Sequence, residues 1–167
     1  MTESDSNENN NCPRDNYYFM REIFMKPQIR KYNLTDLFEL LSVWEKASEI
    51  AHPFLSAEFL NKERENIPNI YIPSADTWVA EYEGRLVGFL SLIDNEVGGL
   101  FTDPEFHGRG VGFALMNKAS ALHNTLEVEV FKDNTLGLGF YVRYGFKQLF
   151  EYTHNETGRT MIRLKYN

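Results

Sequence analysis

Residues 100–116, LFTDPEFHGRGVGFALM, decide how this chain is read. Within them Phe106–Gly112 (FHGRGVG) sets three glycines, Gly108, Gly110 and Gly112, in five positions, with Arg109 between the first two. A helix opens here and runs to about Leu122, because Val111, Leu115, Ala119 and Leu122 recur on one helical face. A helix N-terminus leaves N–H groups unpaired and carries the positive end of the helix dipole, so anions settle there. Glycines let phosphate oxygens reach such a backbone with no Cβ in the way. The run is not a dinucleotide fingerprint, since G-x-G-x-x-G beginning at Gly108 would need glycine where Phe113 stands. Nor does it follow G-x-x-x-x-G-K-[ST]. Taken alone, it reads equally well as a tight turn into a helix.

Outward from this stretch the pattern is one of strands and short helices. Residues 28–32 alternate as a strand. A helix follows, with Leu34, Leu37, Leu41, Trp44 and Ser48 at helical spacing and Asn33 or Thr35 as its cap. Pro53 interrupts, and Ser56 caps a second helix over 56–66. Strands at 77–82 and 85–93 meet at the hairpin turn Glu83-Gly84, and Asp94-Asn95 turns into a strand at 96–102. Gly98-Gly99 inside that strand predicts a bulge or a close neighbour. Beyond the glycine helix come a strand at 126–131 and a helix at 134–144, with Gly145 where a left-handed cap belongs. A final hairpin turns around THNETG, 153–158. The order β-α-α-β-β-β-α-β-α-β-β implies a mixed sheet with helices on its faces.

Composition narrows the function classes. The 167 residues fit one domain, expected over 25–167. Residues 1–24 open with a polar, Asn-rich run that cannot offset its ordering entropy, so they are expected to be a disordered tail. Met25 is a plausible alternative start. A net charge of −7 argues against a nucleic-acid surface, where a basic stripe is expected. The lone Cys12 allows no internal disulfide, and no apolar run approaches the ~18 residues of a membrane span. A cytoplasmic protein is the expectation. Four scattered histidines give no metal-ligand spacing.

A second motif lies 22 residues beyond Gly112: NTLGLGFYVRYGF, 134–146. With the first, it resembles the signature of the GNAT superfamily of N-acetyltransferases. That family carries [QR]-x-x-G-x-[GA], commonly after Pro-Glu, and N-x-x-[AG]-x-x-x-Y-x-x-x-G-F. Here the frames are His107-x-x-Gly110-x-Gly112 after Pro104-Glu105, and Asn134, Gly137, Tyr141, Gly145 and Phe146 in register. His107 departs from the usual Gln or Arg, a change that matters little if the loop works through main-chain N–H groups. The resemblance spans about residues 28–166. It implies a mixed α/β (α+β) GNAT-like fold: a mostly antiparallel sheet of about seven strands with a splayed parallel pair, flanked by about four helices.

The resemblance also implies roles. Main-chain groups of His107, Gly108, Arg109, Gly110, Val111 and Gly112 would hold the pyrophosphate of acetyl-coenzyme A, and those of Leu100, Phe101 and Thr102 would run along its pantetheine. Asn134, itself a favoured helix cap, and Gly137 would meet the same arm; Gly139 has no such reading. Arg143 either reaches the 3′-phosphate or faces solvent. Tyr141 would protonate the leaving thiolate as general acid. Glu96 is the candidate general base, with Glu127 and Glu129 behind it and a water chain as the alternative. AHPFLS, 51–56, resembles the His-x-Phe-Leu segment of small stand-alone bacterial relatives, so His52 and Phe54 would shape the acceptor pocket. His123 and His154 read as surface residues. The implied reaction is direct attack of an amine on acetyl-coenzyme A in a ternary complex. A non-catalytic acyl-coenzyme A sensor and a partner-binding module stay open as alternatives, as do the acceptor amine and the choice between monomer and homodimer.

Overall fold

The computed structural model describes residues 26–167. The polar tail expected at 1–24, Cys12 and the alternative start at Met25 lie outside the described residues. The elements are β1 (Gln28–Lys31), α1 (Leu37–Ala51), α2 (Ala57–Asn66), β2 (Asp76–Tyr82), β3 (Arg85–Ile93), β4 (Glu96–Thr102), α3 (Val111–Leu122), β5 (Leu126–Phe131), α4 (Thr135–Tyr144), β6 (Lys147–Thr153) and β7 (Thr160–Tyr166). Seven strands form one sheet in the order β1-β2-β3-β4-β5-β7-β6, parallel only at β4–β5. The expected architecture is the observed one.

Local chemistry explains the connections. Glu83 and Gly84 both take positive φ, 51° and 79°, in the two-residue turn whose twist matches the strands it joins. In β3 every residue from Leu86 to Leu92 is buried, because helices cover both faces of the central strands. One core packs Leu40, Val43 and Trp44 of α1 on Val79, Leu86 and Phe89. The other packs Val111, Leu115 and Met116 of α3, with Tyr141 of α4, on Val87, Leu90 and Val128. Gly88 decides how closely α3 approaches: a Cβ there would lie 2.9 Å from Val111 Cγ1 and 3.0 Å from the Phe101 carbonyl oxygen. No described helix is long and apolar enough to cross a membrane.

Two local readings change. The buried stripe of α1 is Leu40, Val43, Trp44, Ala47 and Ser48, whereas Leu34 is 78% exposed. Residues Leu34–Asp36 form a 3₁₀ turn, in which the Asn33 side chain accepts the Thr35 N–H and Asp36 accepts the Asn33 N–H at 2.7 Å. Three residues per turn puts Leu34 off the α-helical stripe. After α2 the chain makes a π-helical turn, Ile67–Tyr71, and one more helical turn, Ile72–Ser74. Pro68 has no N–H to continue the α ladder, and the Ile72 N–H reaches back to the Ile67 carbonyl instead.

Candidate active site

β4 and β5 pair at only two registered positions, Glu96–Glu127 and Val97–Val128, and then diverge. Gly98 is the bulge expected in β4: Leu92 pairs with Val97 and Ser91 with Gly99, leaving Gly98 without a partner. From there on, main-chain groups of the two strands face a gap rather than each other. Such a crevice at the carboxyl ends of parallel strands is where α/β sheets bind ligands. The gap belongs to a cavity of about 930 Å³.

One end of the cavity is the glycine loop. Asp103 is 1% exposed and fixes it by accepting the Glu105 N–H at 3.0 Å, Arg85 at 2.9 Å and Lys46 at 3.2 Å. Burial pushes its carboxyl up, but that N–H and the two cations outweigh the effect and hold it below the usual carboxylate range. Gly108 and Gly110 then take left-handed φ of 77° and 78°, with open space where a Cβ would sit. No side chain caps α3, so its first-turn N–H groups remain available to an anion. His107, Gly108, Gly110, Val111 and Gly112 line the cavity. The Arg109 side chain instead lies over Tyr82 and Phe106, 5.8 and 5.0 Å from their ring centres.

Asn134 and Tyr141 enter from α4. The Asn134 Oδ1 accepts the Gly137 N–H at 2.8 Å, capping the helix. A Cβ on Gly137 would fall 2.7 Å from Asn134 Nδ2, which accounts for glycine there. Gly112 is likewise needed for packing, since its Cβ would meet the Phe140 ring at 2.9 Å. Nothing in the structure explains Gly139, whose Cβ would meet only the tip of Arg143 at 3.4 Å. Tyr141 is 6% exposed between Phe140 and Phe146, and lost hydration pushes its phenol well up, so it stays protonated at neutral pH. Arg143 is exposed beside the cavity. Leu100, Phe101 and Thr102 line it from β4.

The opposite wall carries aromatic rings and carboxylates. His52, at the C-cap of α1, meets Phe54, Phe101 and Phe131 at ring-centre distances of 5.9, 6.4 and 6.1 Å. Burial alone lowers its pKa to about 4. Phe54 does not itself line the cavity; it backs His52 and Phe131, under the guanidinium of Arg159, which donates to its carbonyl oxygen at 3.0 Å. His154, read from sequence as a surface residue, is half-buried, lines the cavity and packs on Phe59 and Phe131. Glu96 lines the cavity too, but Arg163 gathers it with Glu127 and Glu129 at 3.0, 2.8 and 3.1 Å. All four side chains share one sheet face because Glu96 registers with Glu127 and Glu129 with Arg163. The period-2 alternation of LEVEVF and RTMIRLKY carries that signal, yet Arg163, Phe131 and His154 were not anticipated at the site. Neither was the π-helical turn, which brings Ile67 and Tyr71 to the cavity beside Glu63. Among the described residues, no group of three or more His, Cys, Asp or Glu side chains could hold a metal.

Comparison with known proteins gives concordant results. A family profile described as "Acetyltransferase (GNAT) domain" matches residues 73–148. Peptidyl-lysine N-acetyltransferase YjaB of Escherichia coli K12 is 36% identical over 110 residues, 65% of this chain and 74% of the relative. Peptidyl-lysine N-acetyltransferase YiaC of the same organism is 30% identical over 119 residues, 71% of this chain and 82% of the relative. The solution structure of apo YjaB superposes with a TM-score of 0.76 at 29% identity, covering 84% of this chain and 97% of that one.

Proposed function

The chain belongs to the GNAT acetyltransferase family and is an acetyl-coenzyme A-dependent N-acetyltransferase; we propose that its acceptor is the side-chain amine of a protein lysine. Two relatives bear peptidyl-lysine names. The observation in this chain that supports the reading is a cavity lined by the rings of Phe59 and Phe131 and by Glu63, Glu96 and Glu129. Aromatic faces suit the methylene stem and cation of a lysine, and carboxylates suit its ammonium.

In this proposal the pyrophosphate binds the N–H groups from Gly108 to Gly112, Arg143 lies near the 3′-phosphate, and the pantetheine runs along Leu100–Thr102 with Asn134 across the gap. The amine, as free base, attacks the thioester carbonyl carbon. The C–N bond forms, the C–S bond breaks, and the thiolate takes the proton of Tyr141. The proton lost by the amine goes to Glu96, directly or through water. Glu96 meets Arg163 through Oε2, which leaves Oε1 for that proton. His52 shapes the acceptor side, with Phe54 packed behind it.

The test is thiol release from acetyl-coenzyme A with a lysine peptide, followed by mass analysis of the product. Gain of one acetyl on the ε-nitrogen is expected. Turnover with small amines but none with lysine peptides would overturn the acceptor assignment and leave the transferase assignment standing.

A further inference from the structure

Asn134 and His52 are 82 residues apart in sequence, yet Asn134 Nδ2 and His52 Nε2 lie 3.3 Å apart across the gap. Their roles in that hydrogen bond follow from the cap. The Asn134 Oδ1 is committed to the Gly137 N–H at 2.8 Å, which fixes the amide so that its NH₂ faces His52. An amide NH₂ can only donate, so His52 Nε2 accepts. A neutral imidazole carries one proton, which therefore sits on Nδ1.

Three further observations bear on this tautomer. The ring is enclosed by Phe54, Phe101 and Phe131, with no charged side chain contributing to its lowered pKa of about 4. It therefore stays neutral at physiological pH, and an imidazole so reluctant to take a proton is a poor base. Nδ1 has no hydrogen-bond partner among the described residues, while the residue lines the cavity where both substrates meet.

We infer that His52 serves the transfer as a neutral hydrogen-bond donor, through Nδ1–H, to a carbonyl oxygen of the bound substrates, rather than as a base. Two carbonyls fit that chemistry: the thioester of acetyl-coenzyme A, on which negative charge develops during attack, and a backbone carbonyl of the acceptor. Asn134 then has two jobs. It caps α4, which carries Tyr141, and it holds the imidazole in its donor form. The donor role rests on the transferase reading; the tautomer does not.

Two experiments test it. Long-range ¹H–¹⁵N correlation on the ¹⁵N-labelled full chain, with His52→Gln to identify the signals, should show the Nδ1–H tautomer unchanged from about pH 5.5 to 7.5. An Nε2–H tautomer, or an imidazolium near pH 6.5, overturns the inference. In the second, turnover is followed with Nα-acetyl-lysine N-methylamide and with n-pentylamine, which has no carbonyl. Asparagine places its Nδ2 where Nδ1 lies, so His52→Asn should retain most of the kcat that His52→Leu loses, a loss of about 10- to 100-fold. A loss with both amines assigns the thioester carbonyl, and a loss confined to the amide assigns the acceptor carbonyl. Equal loss in both variants, or none in either, refutes the donor role. If wild-type protein acetylates only pentylamine, the peptidyl-lysine reading fails and His52 is judged on that amine. If it acetylates neither, the tautomer alone decides.

Discussion

Gly137→Ala isolates the Asn134 contact, because two effects of known size oppose each other there. Alanine in place of a helical glycine gains about 0.5–1 kcal/mol, and the low end applies so near the N-terminus of α4. Against this, the new Cβ would lie 2.7 Å from Asn134 Nδ2, 3.1 Å from Cγ and 3.2 Å from Oδ1. Asn134 is 8% exposed and tied at both ends of its amide, so it has to swing out. Loss of the cap costs about 1 kcal/mol, and loss of the bond to His52 about 0.5 kcal/mol more. The cap wins, for a net loss of about 1 kcal/mol and a fall in Tm of about 2–4 °C. The decisive measurement is the same substitution in an Asn134→Ala background, by thermal and denaturant unfolding. With the amide gone nothing opposes the propensity gain, so Gly137→Ala should there stabilise by about 0.5 kcal/mol. A change of sign between backgrounds is expected. If Gly137→Ala destabilises equally in both, glycine is required by something other than Asn134 and the packing argument fails.

Three more outcomes follow from individual side chains. His52 has a folded pKa of about 4 against about 6.5 unfolded, so the unfolded chain binds more protons between those values. Stability should therefore fall as pH drops from about 6.5 to 4, by up to about 3 kcal/mol, and His52→Phe should flatten that limb in denaturant titrations at each pH. Arg163→Met leaves Glu96, Glu127 and Glu129 clustered without their cation, and should lower Tm by about 3–6 °C. Because the lost pair lowers the Glu127 pKa, its contribution is complete above the ordinary carboxylate range and is lost as pH falls from there through the lowered folded value. The variant and wild-type melting curves should converge in acid. Tyr141→Phe should lower kcat about 100-fold with little change in the KM for acetyl-coenzyme A. It should not lower Tm, since the Tyr141 hydroxyl makes no hydrogen bond to another described residue and lost hydration alone shifts its phenol.

What was legible in the sequence is what local rules govern. Glu83-Gly84, Asp94-Asn95 and Gly145 announce turns and caps because few residues adopt positive φ, and all but Asn95 do so here. The glycine loop was legible for another reason, the close approach of phosphate that a missing Cβ allows, and Gly108 and Gly110 prove to take positive φ as well. Gly112 and Gly137 carry a different lesson. Both fall in the family motif and both read as room for the cofactor, yet each has a nearer claim on it, from Phe140 and from Asn134. A motif can record a packing requirement beside a ligand as readily as a ligand contact.

What was not legible depends on register between distant segments. Arg163 reaches Glu96 across 67 positions, and His52 reaches Asn134 across 82. No local pattern fixes either; Arg163 comes near Glu96 only because β5 pairs with both β4 and β7. These long-range links have a common cause. Where β4 and β5 part, the sheet gives up the ladder that elsewhere joins its halves, since the parallel pairing is only two registers long. The halves must then be held by side chains, and the structure supplies Arg163 at the closed end of the gap and His52–Asn134 across its mouth. Arg159 adds a third link, from the β6–β7 turn to the Phe54 carbonyl. In these links His52, Asn134, Glu96 and Glu129 line the cavity. Opening the sheet for a substrate thus forces the chain to place charge and hydrogen-bonding capacity beside that substrate, and catalysis can draw on groups that stability already requires.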